Sequence, residues 1–301
     1  MEETVYSYAA DIPSKTDEQR LNNLRTWYQI SDELNPRLPV RGEWCYNPHF
    51  GIGIYEAYFL GGLRLPLNAF ARELLVKLGL GVCQFNPNVW RLIISMQILW
   101  REVFEGDRPL TVDEFLFCYK PSKIHQSLGF YKFTARGTDC RLIKSLASSN
   151  RNWKKEFFFV SGFWHGNPVG VGRDTFGRYT GDLGNLHLEG KSLPFFFSLF
   201  CFIHVLTSSY LFLYSCWPSL SKFHRDRVHR ARLHMNRSFH SLVMLRWLAK
   251  WGLGPNPSDE ALAHKITIRR SKFLNFRQTL HFLRFALVLY IYIYIYIYFF
   301  F

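Results

Sequence analysis

The sequence predicts a mainly α-helical fold with a small antiparallel β-sheet, an α+β arrangement, over about residues 15–165. Three observations predict it. Apolar residues recur at helical spacing behind N-cap residues. Two short aromatic segments read as strands. Of the 301 residues, 48% are hydrophobic and 20% charged, which is enough apolar surface for a core. The C-terminal third is expected to be poorly packed or to carry hydrophobic helices.

The first helix is expected after Thr16-Asp-Glu-Gln19, where a hydroxyl and a carboxamide three residues later form a capping box. Leu21, Leu24, Trp27, Tyr28 and Leu34 follow at near-helical spacing, and Pro36 and Pro39 end the run. Residues 36–53 read as a loop. Leu67, Phe70, Ala71, Leu74, Leu75 and Leu78 form one apolar stripe closed by Gly79, a C-cap. Burying its large side chains is worth on the order of 10 kcal/mol before entropy, so the stripe is core.

Asn86-Pro87 pairs an N-cap with proline at the first helical position. The helix it opens carries Trp90, Ile93, Ile94, Met96, Leu99, Trp100 and Val103 on more than one face, the pattern of a buried central helix. Thr111-Val-Asp-Glu114 is a second capping box, and its helix stops by Pro121. Gly129–Thr134 and Glu156–Val160 are rich in aromatic strand formers and are expected to pair with each other.

Beyond residue 165 the texture changes. Residues 166–221 read as a glycine-rich linker and a hydrophobic segment, 222–270 as a basic amphipathic region, and 271–301 as a low-complexity tail. Residues 1–191 hold 23 Lys+Arg against 20 Asp+Glu; residues 192–301 hold 14 against 3. The +14 net charge therefore sits mostly between Lys222 and Arg284, which suits phosphate backbones or anionic lipid and equally a solvated basic stretch.

Leu193–Trp217 is uncharged and long enough for a membrane span. It also lacks Gly and Ala, which membrane helices use for close packing, and its Phe, Leu, Ser, Tyr and Cys all have T-rich codons. The chain ends in alternating Ile-Tyr over 291–298 and three Phe, the translation of an AT repeat and a T run. Two readings fit both segments: translated intron or downstream non-coding sequence, or hydrophobic spans flanking a basic loop.

No catalytic constellation emerges. Asp113-Glu114 is a carboxylate pair explained by the capping box. Gly170-Val-Gly172 with Gly177 lacks the spacing of a dinucleotide fingerprint. G-x-S-x-G, H-E-x-x-H and Walker A sequences do not occur. His224, His229 and His234 recur every five residues, which fans them around a helix and away from a shared metal. The six cysteines form no C-x-x-C pair, and Cys45, Cys83, Cys118 and Cys140 read as free, mostly buried thiols. No cofactor is expected. The acidic start Met1-Glu-Glu-Thr has no apolar run, so no secretory leader is expected, and the nucleus or cytoplasm is favoured with a membrane as the alternative.

Two sets of residues could meet nucleic acid. Arg151, Trp153, Lys154 and Lys155 mix charge with aromatics beside Phe157–Phe159, a pattern that also suits a sheet edge blunted by lysine. Arg225, Arg230, Arg232 and Arg237 lie opposite Val228, Met235, Phe239, Leu242, Leu245 and Leu248.

Three stretches, Ile54–Leu75, Gln84-Phe-Asn-Pro-Asn-Val-Trp-Arg91 and Ser148–Ser161, resemble in order and spacing a plant family, the putative plant transposon protein or gypsy-type transposon domain. The resemblance covers roughly residues 20–164, and Asp226–Arg270 is similar to a downstream segment of such proteins. It implies a retrotransposon-derived protein and brings no catalytic residues, so a transposase-like label would name origin rather than activity. The D-T/S-G protease, Y-x-D-D polymerase and C-C-H-C knuckle motifs do not occur. The expectation is a non-catalytic protein that binds nucleic acid or associates with itself. The alternative is a membrane-anchored protein with a span near 193–217.

Overall fold

The computed structural model describes residues 12–45, 51–124, 127, 129–147, 152–165, 218–235, 237–264 and 267. Residues through Asn256 belong to one compact unit, and Pro257–Phe301 to a second, of which a helical turn over 259–264 is described. The expectations for 166–217 and for the Ile-Tyr tail lie outside the described residues.

Helix α1, Glu18–Tyr28, buries Leu21, Leu24 and Tyr28. Its N-cap is Asp17, whose carboxylate accepts the Arg20 N–H at 2.7 Å. The capping box expected at Thr16 is thus displaced by one residue: Asp caps at least as well, and Thr16 is itself buried. Strand β1, Ile52–Tyr55, runs into the short helix α2, Glu56–Leu60. Helix α3, Ala69–Leu78, has the anticipated stripe: Phe70, Ala71, Leu74, Leu75 and Leu78 are buried, Asn68 caps the start, and Gly79 takes the left-handed conformation at φ 63°.

Helix α4, Pro87–Val103, is the central element, opened by Asn86, whose side chain accepts the Val89 N–H. From Val89 to Trp100 every residue but Arg91 is buried, because α2, β3 and the C-terminal helices cover it on several sides. Helix α5, Val112–Cys118, starts with the expected capping box: Glu114 N–H donates to Thr111 Oγ1 at 3.3 Å and Thr111 N–H donates to Glu114 Oε2 at 3.0 Å.

The two expected strands exist but do not pair together. Strand β2, Tyr119–Lys123, forms an antiparallel hairpin with β3, Tyr131–Ala135. Strand β4, Ile143–Lys144, follows, and β5, Phe157–Val160, pairs antiparallel with β1, with Ile54 opposite Phe158. The reason is burial. All four residues of β5 are buried, as are all four of β1, so this ribbon is covered on both faces, whereas β3 alternates half-buried with exposed residues. Its aromatic side chains join one core: the Trp153 ring lies 4.6 Å from Tyr55 and 5.0 Å from Phe130, and Phe158 stacks on Phe59 at 5.9 Å.

Within the C-terminal third, the described residues 218–235 and 237–253 form short helices and a strand. Helix α6, Lys222–Arg232, buries Arg227, Val228 and Ala231. Strand β6, Arg237–Ser238, pairs parallel with β4. Helices α7, Phe239–Leu242, and α8, Leu245–Lys250, add Phe239, Leu242 and Leu248 to the core. This segment docks because its apolar face meets α4 and α5, and because acidic groups of the N-terminal part neutralise its inward arginines.

Candidate nucleic-acid interface

Helix α6 is two-faced. Residues 224, 227, 228 and 231, at i, i+3, i+4 and i+7, turn toward the core, while Lys222, Arg225, Asp226, His229 and Arg230 are exposed along the opposite side. A helical rise keeps that outer set on one stripe, so three cations and a histidine lie along about two turns with one carboxylate among them.

The inner face is held by a buried charge cluster. Glu114 of α5 has no exposed side-chain surface. Its Oε1 meets Arg227 Nη1 at 3.1 Å and His224 Nδ1 at 2.9 Å, while Oε2 serves the helix cap. Arg227 Nη2 donates to the carbonyls of Arg108 and Pro109 at 2.8 and 3.0 Å. Burial pulls the Arg227 guanidinium below its ordinary value, and Glu114 opposes that shift. Two further pairs fasten the segment: Arg232 to Asp139 at 2.9 Å and Arg237 to Glu102 at 2.8 Å.

The sequence-predicted contacts therefore divide. Arg225 and Arg230 are exposed and make no ion pair among the described residues. Arg232 and Arg237 are neutralised by acids of the same unit. In the other set, Arg151 lies outside the described residues. Trp153 is buried within the ring cluster, where its faces are taken by Tyr55, Tyr58 and Phe130. Lys154 donates to Ser127 Oγ at 2.9 Å and sits over the Phe130 ring; burial lowers its pKa. Lys155 is half-buried, and its N–H donates to Asn152 O in a tight turn. Among the described residues no hydrogen bond, ion pair or ring contact joins the two sets.

Arg108 and Phe223 join the α6 face although sequence reasoning missed them. Phe223 is 48% exposed, with the Arg108 guanidinium 5.0 Å and the Arg227 guanidinium 5.9 Å from its ring centre. Phe104 carries Arg227 at 4.8 Å and Arg230 at 5.4 Å. Lys250 lies 4.6 Å from the Trp251 ring and 4.9 Å from Trp247, and Trp251 closes over Gly106, in the same turn as Phe104. Cations over aromatic rings are held at modest entropic cost and stay charged at the surface. Phe223, an aromatic on the arginine-rich side of an amphipathic helix, was a visible signal; Arg108 had none.

His224 faces Glu114 with a third of its side chain exposed, while His229 and His234 are exposed. Among the described residues no group of three His, Cys, Asp or Glu is placed to hold a metal ion, and no helix is long and apolar enough to cross a membrane.

A helical core with two small antiparallel ribbons and a cation-bearing helix docked on it defines the class, an α+β domain with a basic face. Residues 53–121 match the family described as "Putative gypsy type transposon". The match runs from β1 through α2, α3, α4 and α5 into β2, and it spans under a quarter of the chain. No curated protein and no solved structure matches the chain.

Proposed function

We propose that this transposon-derived protein is a non-catalytic nucleic-acid-binding module, and that the outward stripe of α6 contacts the phosphate backbone. The observation that carries the reading is the split of charge on α6. Its inward arginine is neutralised by Glu114, whereas Lys222, Arg225 and Arg230 face outward with no ion pair among the described residues. Cations so placed release condensed counterions when they meet phosphates, which makes affinity fall steeply with salt. The half-exposed Phe223 ring beside Arg108 offers a surface on which an unpaired base can stack. Contact through backbone and stacking carries little sequence information, so weak sequence preference accompanies this reading.

The test is fluorescence anisotropy of the full-length chain with labelled duplex DNA and single-stranded RNA across a salt series. Binding that weakens log-linearly with salt supports the reading. Absence of binding at low salt overturns it. Sedimentation of the free protein then reports self-association, and alkaline carbonate extraction reports anchoring through 193–217.

A further inference from the structure

The described cysteines form two pairs with opposite surroundings. Cys45 and Cys83 are buried near Tyr55 and Tyr58; burial pushes Cys83 up to about 12 and Cys45 well above the ordinary thiol value. Cys118 ends α5, and Cys140 ends the short 3-10 turn Thr138–Cys140. The two cysteines are brought close enough to interact, with Arg136 N–H donating to Cys118 O at 2.9 Å and Leu142 N–H to Tyr119 Oη at 3.0 Å on either side of them. Arg232 of α6 donates from Nη2 to Cys140 Sγ at 3.2 Å and holds Asp139 with its other nitrogen at 2.9 Å.

The charge environment is asymmetric. Cys118 and then the Arg232 guanidinium hold Cys140 below the usual thiol range, against burial and the Asp139 carboxylate. Cys118 is pushed up by its hydrogen bond to Cys140, by burial and by the Glu114 charge. Tyr119, the remaining titratable neighbour, is raised by burial, and its hydroxyl accepts the Leu142 N–H at 3.0 Å. Cys140 is 5% exposed, but Thr138, Asp139 and Arg141 around it are exposed, so the sulfur lies one residue beneath the surface in a short turn.

We propose that Cys140 and Cys118 form a peroxide-oxidisable thiol pair, with Cys140 as the nucleophile and Cys118 as the resolving thiol. The Cys140 thiolate attacks one oxygen of hydrogen peroxide. An S–O bond forms, the O–O bond breaks, and hydroxide leaves to take up a proton as water. Cys140 is then a sulfenic acid, oxidised by two electrons while the peroxide is reduced. The Cys118 sulfur attacks the Cys140 sulfur, forming the S–S bond as the S–O bond breaks, and the sulfenic hydroxyl leaves with the Cys118 proton as a second water. In sum, two thiols and one peroxide give one disulfide and two waters. Arg232 acts as a positioning residue that favours the thiolate.

The experiment treats the reduced full-length protein with graded hydrogen peroxide, blocks remaining thiols and maps peptides by mass spectrometry. A Cys118–Cys140 linked peptide is expected at doses that leave Cys45 and Cys83 reduced. R232Q is expected to slow linkage several-fold at neutral pH, with the gap closing at alkaline pH, where Cys140 ionises without help. C118S, which removes the resolving thiol, is expected to leave a Cys140 sulfenic acid that dimedone traps; this arm stands alone if R232Q fails to fold. The proposal is overturned if Cys45 and Cys83 oxidise as readily, if Cys140 links instead to Cys201 or Cys216, or if C118S gives no dimedone adduct.

Discussion

Glu114 is the residue on which the docking of the basic helix turns, and E114Q isolates its charge. Glutamine still offers one oxygen to the Thr111 N–H, so the α5 cap survives. Its amide nitrogen must then face Arg227 Nη1 and His224 Nδ1, where the carboxylate oxygen stood at 3.1 and 2.9 Å. Arg227, with 8% of its side chain exposed, is left as a buried cation without a counter-charge. Breaking a buried pair from one side costs about 3–5 kcal/mol, a large share of a typical folding free energy. E114A also loses the capping carboxylate and should cost about 1 kcal/mol more. E114Q/R227M removes the stranded charge and should recover at least half of the loss, since apolar replacement of a buried pair is often neutral. Urea unfolding followed by circular dichroism gives the three free energies, and limited proteolysis reports whether residues 218–235 come loose. A cost for E114Q below about 1 kcal/mol, or a double variant no more stable than E114Q, would refute the claim that this pair docks α6.

Other outcomes follow from the same packing. A Cβ at Gly53 would lie 2.0 Å from the Cys45 carbonyl oxygen, so G53A should cost roughly 1–3 kcal/mol or more, read by chemical denaturation. At Gly79 a Cβ has open space, so G79A should cost only about 1–2 kcal/mol of left-handed backbone strain. Burial and the nearby Glu56 raise the Glu156 pKa. A carboxyl raised in the folded state disfavours folding once ionised, and the penalty fades as pH falls through its folded pKa. E156Q should therefore be slightly more stable than wild type at neutral pH and equal to it in acid, as compared by thermal melts at both. Full-length transcript reads should splice out the bases encoding about Lys191–Pro218 and stop short of the Ile-Tyr repeat; reads crossing both, with peptides from 193–217, would contradict this.

Signals that act over one helical turn were legible in the sequence. Asn86-Pro87 and the Thr111–Glu114 box fix helix starts through neighbouring backbone N–H groups, and the α3 stripe carries its own period. What failed was long-range. Ile52-Gly-Ile-Tyr55 is short, contains a glycine and acquires strand geometry only from β5, far along the chain, so it read as the end of a loop. Pro121 marked the end of a helix and also sits inside β2, in the short hairpin with β3, which local pattern did not reveal. The charge count of the C-terminal region was right, but which cations face outward depended on Glu102, Glu114 and Asp139, acids scattered across other elements. Trp153 looked like part of a basic aromatic face and proved to be core for the same reason.

The central claim is that the outward stripe of α6 meets phosphate, and a matched pair of charge-removal variants tests it most directly. K222Q/R225Q/R230Q strips the stripe. K120Q/K123Q/K132Q removes the same charge from exposed lysines of the β2–β3 hairpin. The slope of log affinity against log salt for duplex DNA should shrink by about 0.9 for each lost phosphate contact in the first variant and stay unchanged in the second. Equal slopes in both variants, whether reduced together or both unchanged, would contradict the account.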